Sequence, residues 1–121
     1  MFNWDEFLNV ARAAISGSPE CFQRTAISRA YYSAFHFARK FLIDTKHCVI
    51  GNDKESHEKV RTELMRVARV ENNPNYFSAG TNLQRLRISR NLADYDDSIV
   101  LNFKNTQIAI HLASQIRSDC R

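Results

Sequence analysis

The stretch from Pro19 to Thr45, PECFQRTAISRAYYSAFHFARKFLIDT, decides how this chain folds. It has no glycine and no proline after its first residue, so nothing in it interrupts a helix. Alanines recur at every fourth position and let a second helix approach closely; they are Ala26, Ala30, Ala34 and Ala38. Bulky apolar residues stand between them, which predicts that this helix is central, with neighbours on more than one side.

Four further helices are predicted around the central one. Their expected bounds are Asn3–Ser16, Glu55–Val70, Ser78–Ala93 and Val100–Asp119. Asn3 is the predicted N-cap of the first helix, which Gly17 ends. Ser18 is the predicted N-cap of the central helix, with Pro19 as its first residue. The expected fold is all-α: an antiparallel bundle of four long helices plus a shorter one, in a single domain of residues 1–121.

Polar segments connect these helices, and apolar stripes at helical spacing predict which faces are buried. The clearest connections are Lys46–Lys54, Glu71–Asn75 and a short corner at Asp94–Ser98. The predicted buried residues, beside the alanines, are Trp4, Phe7, Leu8, Ala11, Ala14, Tyr31, Phe35, Phe41, Leu42, Val60, Leu64, Val67, Ala68, Leu101, Ile108, Ala109, Leu112 and Ile116.

Composition narrows the classes of function. The net charge is +4, from 17 basic and 13 acidic residues, and 12 of the basic residues are arginine, whose planar fork suits phosphate. This charge permits a nucleic-acid partner without requiring one. The three cysteines lack the spacing of a zinc site or a disulfide framework, and no nucleotide-binding or acyl-transfer motif occurs, so no metal or cofactor is expected. No signal peptide or membrane-length apolar run is present, which predicts a cytoplasmic protein.

The first segment that carries chemistry is AISRAYYSAFH, residues 26–36. Arg29, Tyr32 and His36 recur at steps of three and four, so they share one face of the central helix. A cation, a phenol and an imidazole among small residues are unusual for plain core. The alternative is that Tyr31 and Tyr32 pack with their hydroxyls at the surface while Arg29 is solvated.

The second segment is RLRISRNLADYDD, residues 85–97. Arg90 falls in the apolar stripe of its helix, where a buried charge is costly unless it is paired. Two explanations are open: Asp94, one turn later, forms an ion pair with Arg90, or Arg90 faces a groove and binds phosphate there.

The remaining histidines carry weaker signals. His57 opens a helix beside Glu58, a pattern that is typical of a solvated helix start. His47 and His111 are isolated, with no second ligand at metal-binding spacing.

Taken together, the two segments resemble the HEPN superfamily. SRAYYSAFH, residues 28–36, is similar to the long second helix of small prokaryotic members, and RNLADYD, residues 90–96, resembles the start of the family signature. The resemblance implies a helical bundle that forms a homodimer, with the signature segments meeting across the dimer axis. It also implies a metal-independent endoribonuclease, often a toxin or antiviral effector, with a minimal nucleotidyltransferase as its antitoxin.

The chain departs from the family signature, which is Arg, four to six residues, then His. Arg90 and Asn91 match, but Tyr95 stands at the fifth position after Arg90. A tyrosine titrates near pH 10 and is a poor base at neutral pH, although it can donate a hydrogen bond or a proton.

Two functions are therefore expected from the resemblance. In the first, Arg90 stabilises the phosphate during RNA cleavage, Asn91 orients it, and Tyr95 or His36 transfers protons. RNA-binding residues would be Arg85, Arg87, Arg29, Tyr32 and His36. The alternative is a non-catalytic module that binds RNA or the nucleotidyltransferase. Tyr95 is also a candidate for modification by that partner, because an added AMP would repel RNA.

Overall fold

The structure, a computed structural model that describes residues 1–121, consists of five helices and no strand. They are α1 (Asp5–Arg12), α2 (Glu20–Lys46), α3 (Ser56–Glu71), α4 (Pro74–Tyr95) and α5 (Phe103–Asp119). The prediction of an all-helical chain is confirmed. No helix combines the length and apolar character that crossing a membrane requires.

The longest helix, α2, lies at the centre of the fold. It packs against α1, α4 and α5, whereas α3 packs mainly on α4. The four alanines spaced along α2 are all buried, as predicted. Tyr31 and Leu42 beside them are fully buried as well. Small side chains at the helix crossings and large ones between them fill the core without holding the helices apart.

The connection between α1 and α2 differs from the prediction. Helix α1 ends at Arg12 rather than Ser16, because the amides of Ala13 and Ala14 bond to carbonyls only three residues back. Gly17 has a positive φ of 90°, but it follows the helix end by several residues. Ser18 does not cap α2; its Oγ accepts from the amide of Ile15, 3.1 Å away, and so closes the turn.

The starts of α4 and α5 also differ from their predicted positions. Helix α4 begins at Pro74, four residues before the expected Ser78, because Asn73 caps it by accepting from two amides. Helix α5 begins at Phe103 rather than Val100, because Asn102 and Asn105 form a reciprocal capping box. Of the predicted buried residues in α5, Ile108 is wrong, since 44% of it is exposed.

The corner between α4 and α5 is held by Arg24 of α2. Its Nη1 lies within 3.2 Å of three carbonyl oxygens and its Nη2 lies 2.7 Å from a fourth; the acceptors belong to Leu92, Ala93, Asp96 and Ile99. Carbonyl oxygens at the end of a helix carry partial negative charge, and most of them have no hydrogen-bond partner within the helix. A guanidinium group supplies both the positive charge and the missing donors.

Glu20 holds the Arg24 side chain in place from the first turn of α2. Its Oε2 lies 2.9 Å from Arg24 Nε and also accepts from the amide of Leu101 at 3.1 Å. These bonds lower the pKa of Glu20, with the Leu101 amide as the largest contribution and the Arg24 side chain as the next. The end of α4, where Arg90 and Tyr95 lie, is therefore fixed to α2.

Candidate functional site

A row of alternating arginine and aromatic side chains crosses α1, α2 and α4. The guanidinium carbon of Arg29 lies 4.6 Å from the ring centre of Phe7 and 5.2 Å from that of Tyr32. The guanidinium carbon of Arg90 lies 5.2 Å from the same Tyr32 ring and 5.3 Å from the ring of Tyr95. These are cation–π distances. We call these five residues the arginine–aromatic ladder.

Arg90 is tied to its own helix by three contacts. Its Nε lies 2.9 Å from Asp94 Oδ2, its Nη1 donates to Asn91 Oδ1 at 3.0 Å, and its Nη2 donates to the Tyr95 hydroxyl at 3.3 Å. The predicted ion pair with Asp94 is thus confirmed. Its Nε–H is not aimed at the carboxylate and has no hydrogen-bond partner, so the contact with Asp94 is Coulombic. Each Nη retains a second N–H for a ligand.

Arg29 is the ladder cation without a charge partner. It forms no ion pair and no hydrogen bond, and it is held only by the flanking rings of Phe7 and Tyr32. Arg29 as a whole is half-buried, so the side chain is held in place and is still reachable from solvent. A positioned cation with free donors is suited to a phosphate or to the face of a base.

A histidine that sequence reasoning assigned to a solvated helix start lies against the ladder. His57, in the first turn of α3, stacks on Phe35 with ring centres 4.4 Å apart, and its ring centre lies 6.2 Å from that of Tyr32. Its Nδ1 is 2.5 Å from the hydroxyl of the buried Tyr31. No other acceptor contacts that hydroxyl, so we assign it as the donor and place the His57 proton on Nε2.

The charge state of His57 follows from its surroundings. Burial lowers its pKa, and the cations Arg87 and Arg90 lower it further. The imidazole is therefore neutral at neutral pH and presents an N–H donor. Nothing near His57 in the sequence indicated this position, because its partners Tyr31 and Phe35 lie more than twenty residues earlier.

The surroundings of His36 do not fit the proton-transfer role that the resemblance suggested. Its ring stacks on the indole of Trp4 with centres 3.5 Å apart and planes 13° apart. Burial, with the nearby charges of Arg39 and His57, lowers the pKa of His36 to about 4. A histidine with so low a pKa is a weak base at neutral pH.

The other predicted site residues divide between the edge of the ladder and a separate groove. Arg87 contacts Glu58 at 3.3 Å, next to His57. Arg85 instead lines a groove between α4 and α5 with Lys104 and bonds Asn82 at 3.4 Å. The structure therefore brings Arg29, Tyr32, Arg90, Asn91 and Tyr95 together, places His36 and Arg87 beside them, and leaves Arg85 apart.

The low pKa of His36 predicts a loss of stability in mild acid. The unfolded chain binds a proton at His36 near pH 6.5, whereas the folded chain does so only near pH 4. Below pH 6.5 the unfolded state therefore gains a proton that the folded state lacks, and the free energy of unfolding falls as pH drops toward 4. Because His36 is only half-buried, we expect a loss of about 1 to 2 kcal/mol between pH 7 and pH 5.

Urea unfolding of the wild type and of His36→Phe at these two pH values measures the effect. Phenylalanine keeps a ring against Trp4 but does not titrate, so the variant should lose clearly less stability than the wild type. Equal losses in the two proteins would show that His36 is not the group responsible.

No three side chains of the metal-binding types converge in the fold. Comparisons with protein-family models, with curated proteins and with solved structures found no match.

Proposed function

We propose that this protein is a HEPN-type domain that binds single-stranded RNA across the arginine–aromatic ladder. The observation that carries the proposal is that two guanidinium groups are held between three aromatic rings on one surface. Unpaired bases stack on aromatic rings and on arginine planes, and phosphates bind guanidinium groups. The ladder offers both kinds of group on one surface.

The charges around the ladder support RNA over an acidic protein. Asp94 neutralises part of Arg90, so the electrostatic attraction rests on Arg29, on Arg87 at the edge and on the net charge of +4. A surface that combines a moderate positive potential with planar stacking groups suits a partner that offers both phosphates and bases.

The family resemblance extends the proposal to an antiparallel bundle that forms a homodimer through α2 and α4. Phe22 on α2 and Ile88 on α4 are large apolar side chains that are 58% and 53% exposed, so each of these helices has apolar surface open to a partner. In such a dimer two ladders would meet, as the resemblance implies for the signature segments. A cytoplasmic toxin or antiviral effector is the biological role that we propose on the same ground.

Metal-independent RNA cleavage is a second candidate, favoured by the contact of Arg90 with Asn91 and with the Tyr95 hydroxyl. In this reaction the ribose 2′-hydroxyl gives its proton to a solvent water, and its oxygen attacks the adjacent phosphorus to form a 2′,3′-cyclic phosphate. The bond to the 5′-oxygen breaks, and that oxygen takes a proton. Arg90 would stabilise the charge on phosphorus and Tyr95 would donate the proton. No strong base at neutral pH lies beside them, so the geometry supports binding better than cleavage.

A denaturing gel separates the two candidates. End-labelled single-stranded RNA is incubated with a molar excess of protein in EDTA, beside Arg90→Ala and Tyr95→Phe. The binding proposal predicts intact RNA in every lane while a native gel run in parallel shows a complex. Discrete products that disappear with Arg90→Ala would establish the endoribonuclease instead.

Tyr95 is also the residue on which we expect a nucleotidyltransferase partner to act. It ends α4, is 74% exposed, and its hydroxyl lies 3.3 Å from Arg90. In this step the Tyr95 oxygen loses its proton and bonds the α-phosphorus of ATP, and pyrophosphate leaves. The attached AMP would place a phosphate against Arg90 and weaken RNA binding. After incubation with such a partner and ATP, intact mass should rise by one AMP in the wild type and not in Tyr95→Phe. A gain that persists in Tyr95→Phe would assign the modification elsewhere.

A further inference from the structure

We infer that an aromatic pocket beside the ladder receives one unpaired nucleobase of the bound RNA, an inference that rests on the proposed function. The pocket lies between the N-terminal segment and α2 and has a volume of about 400 Å³. Phe2, Trp4, His36, Phe37 and Lys40 form most of its lining. A concave site with aromatic walls and a few polar groups is the usual form of a site for a planar ligand.

The walls of this nucleobase pocket are flat aromatic rings. The rings of Trp4 and His36 stack nearly parallel, 3.5 Å apart, and Phe2 meets the indole edge-on at 4.9 Å. Phe2 is 49% exposed, so the pocket opens to solvent at this side. Because His36 is uncharged at neutral pH, the stack presents an uncharged aromatic surface to a base. A base gains most from such a surface when it is not already paired and stacked in a duplex.

The pocket continues the arginine–aromatic ladder. The ring of Trp4 lies 5.4 Å from that of Phe7, which is the end of the ladder and carries Arg29 on its face. A strand that places a phosphate at Arg29 therefore passes the mouth of the pocket. On the other rim Lys40 pairs only with the exposed Asp44, at 2.7 Å. Such surface pairs are weak, so Lys40 can exchange Asp44 for a phosphate.

Trp4 is the only tryptophan of the chain, so intrinsic fluorescence reports on this pocket directly. The experiment titrates the protein with an eight-nucleotide oligoadenylate and follows Trp4 emission. The anisotropy of the same oligonucleotide, labelled at one end, is measured in parallel. The inference predicts that emission changes along the same binding curve as the anisotropy. A fully paired RNA duplex should leave the emission unchanged.

Matched variants test the pocket walls. Phe2→Ala removes one wall, keeps Trp4 as the reporter, and should weaken oligoadenylate binding about tenfold, since one base–aromatic stack contributes on that order. Phe77→Ala removes an equally exposed aromatic ring that lines neither the pocket nor the ladder. This control should bind as the wild type does, and thermal melting checks that both variants fold.

The outcomes separate the inference from the function on which it rests. If anisotropy reports binding but Trp4 emission does not change, the pocket is not a base site, although the RNA proposal stands. If Phe2→Ala binds as tightly as the wild type, the aromatic cluster serves only to pack the N-terminal segment. If neither signal reports binding, both the function and the pocket are wrong.

Discussion

Replacing Arg24 by alanine is expected to destabilise the protein strongly, because this one side chain joins α2 to the α4–α5 corner. The substitution leaves the carbonyl oxygens of Ala93, Asp96 and Ile99 without their donor, whereas Leu92 O keeps the amide of Asp96, and it leaves Glu20 without its cation. Unsatisfied groups in partly buried positions cost about 1 to 3 kcal/mol, and water reaches some of these oxygens, so we expect a total loss of about 3 kcal/mol. Thermal unfolding should show the melting temperature falling by about 10 °C.

Two variants control for charge alone. Arg24→Lys keeps the cation but has a single compact donor group, so it should recover only part of the lost stability. Arg66→Ala removes a partly exposed arginine whose largely buried partner Glu63 keeps a second cation, Lys59, 3.3 Å away, so the substitution should cost only about 1 kcal/mol. If Arg24→Ala melted within a few degrees of Arg66→Ala, Arg24 would not be what fixes the end of α4.

The largest functional effect is expected from Arg29→Ala combined with Arg90→Ala. The double variant removes both cations of the ladder. The rings of Phe7, Tyr32 and Tyr95 then lack the planar guanidinium groups that lie between them. If each arginine contributes about tenfold through stacking and phosphate contact, affinity for single-stranded RNA falls about a hundredfold. Native gel shifts with wild type and double variant give the ratio of dissociation constants.

Matched substitutions distinguish stacking from charge. Arg90→Lys keeps the charge and loses the planar group, so it should bind clearly more weakly than the wild type if stacking matters. Arg85→Ala removes one charge from the same helix but outside the ladder, and its effect should be much smaller than that of Arg90→Ala. Equal losses for Arg85→Ala and Arg90→Ala would mean that only the overall charge attracts RNA.

The helices were predictable where local signals agree. The bounds of α2 and α3 lie within one residue of their predictions, because neither helix contains a breaker. The starts of α4 and α5 were missed because asparagine both breaks and caps a helix. The cluster around Pro74 was interpreted as a loop, yet the Asn73 side chain accepts from the amides of Asn75 and Tyr76 and begins α4 there.

The site was predictable only within single helices. The Arg90–Asp94 pair follows from a spacing of four, and the shared face of Arg29 and Tyr32 follows from a spacing of three. The contacts of Arg29 with Phe7 and of Arg90 with Tyr32 join different helices, so no local pattern contains them. The Tyr31–His57 hydrogen bond and the role of Arg24 were not predicted for the same reason, because their partners lie far away in the sequence. The acceptors of Arg24 lie about seventy residues further along the chain.

Binding of single-stranded RNA by the arginine–aromatic ladder can be measured on the wild-type protein without any substitution. Anisotropy of a labelled unstructured RNA is followed in EDTA, alone and annealed to its complement, at roughly 50 and 200 mM salt. We expect the single strand to bind more tightly than the duplex, salt to weaken binding, and stacking to keep the preference for the single strand at the higher salt. No binding of the single strand, or equal affinity for both forms, would contradict the proposed function.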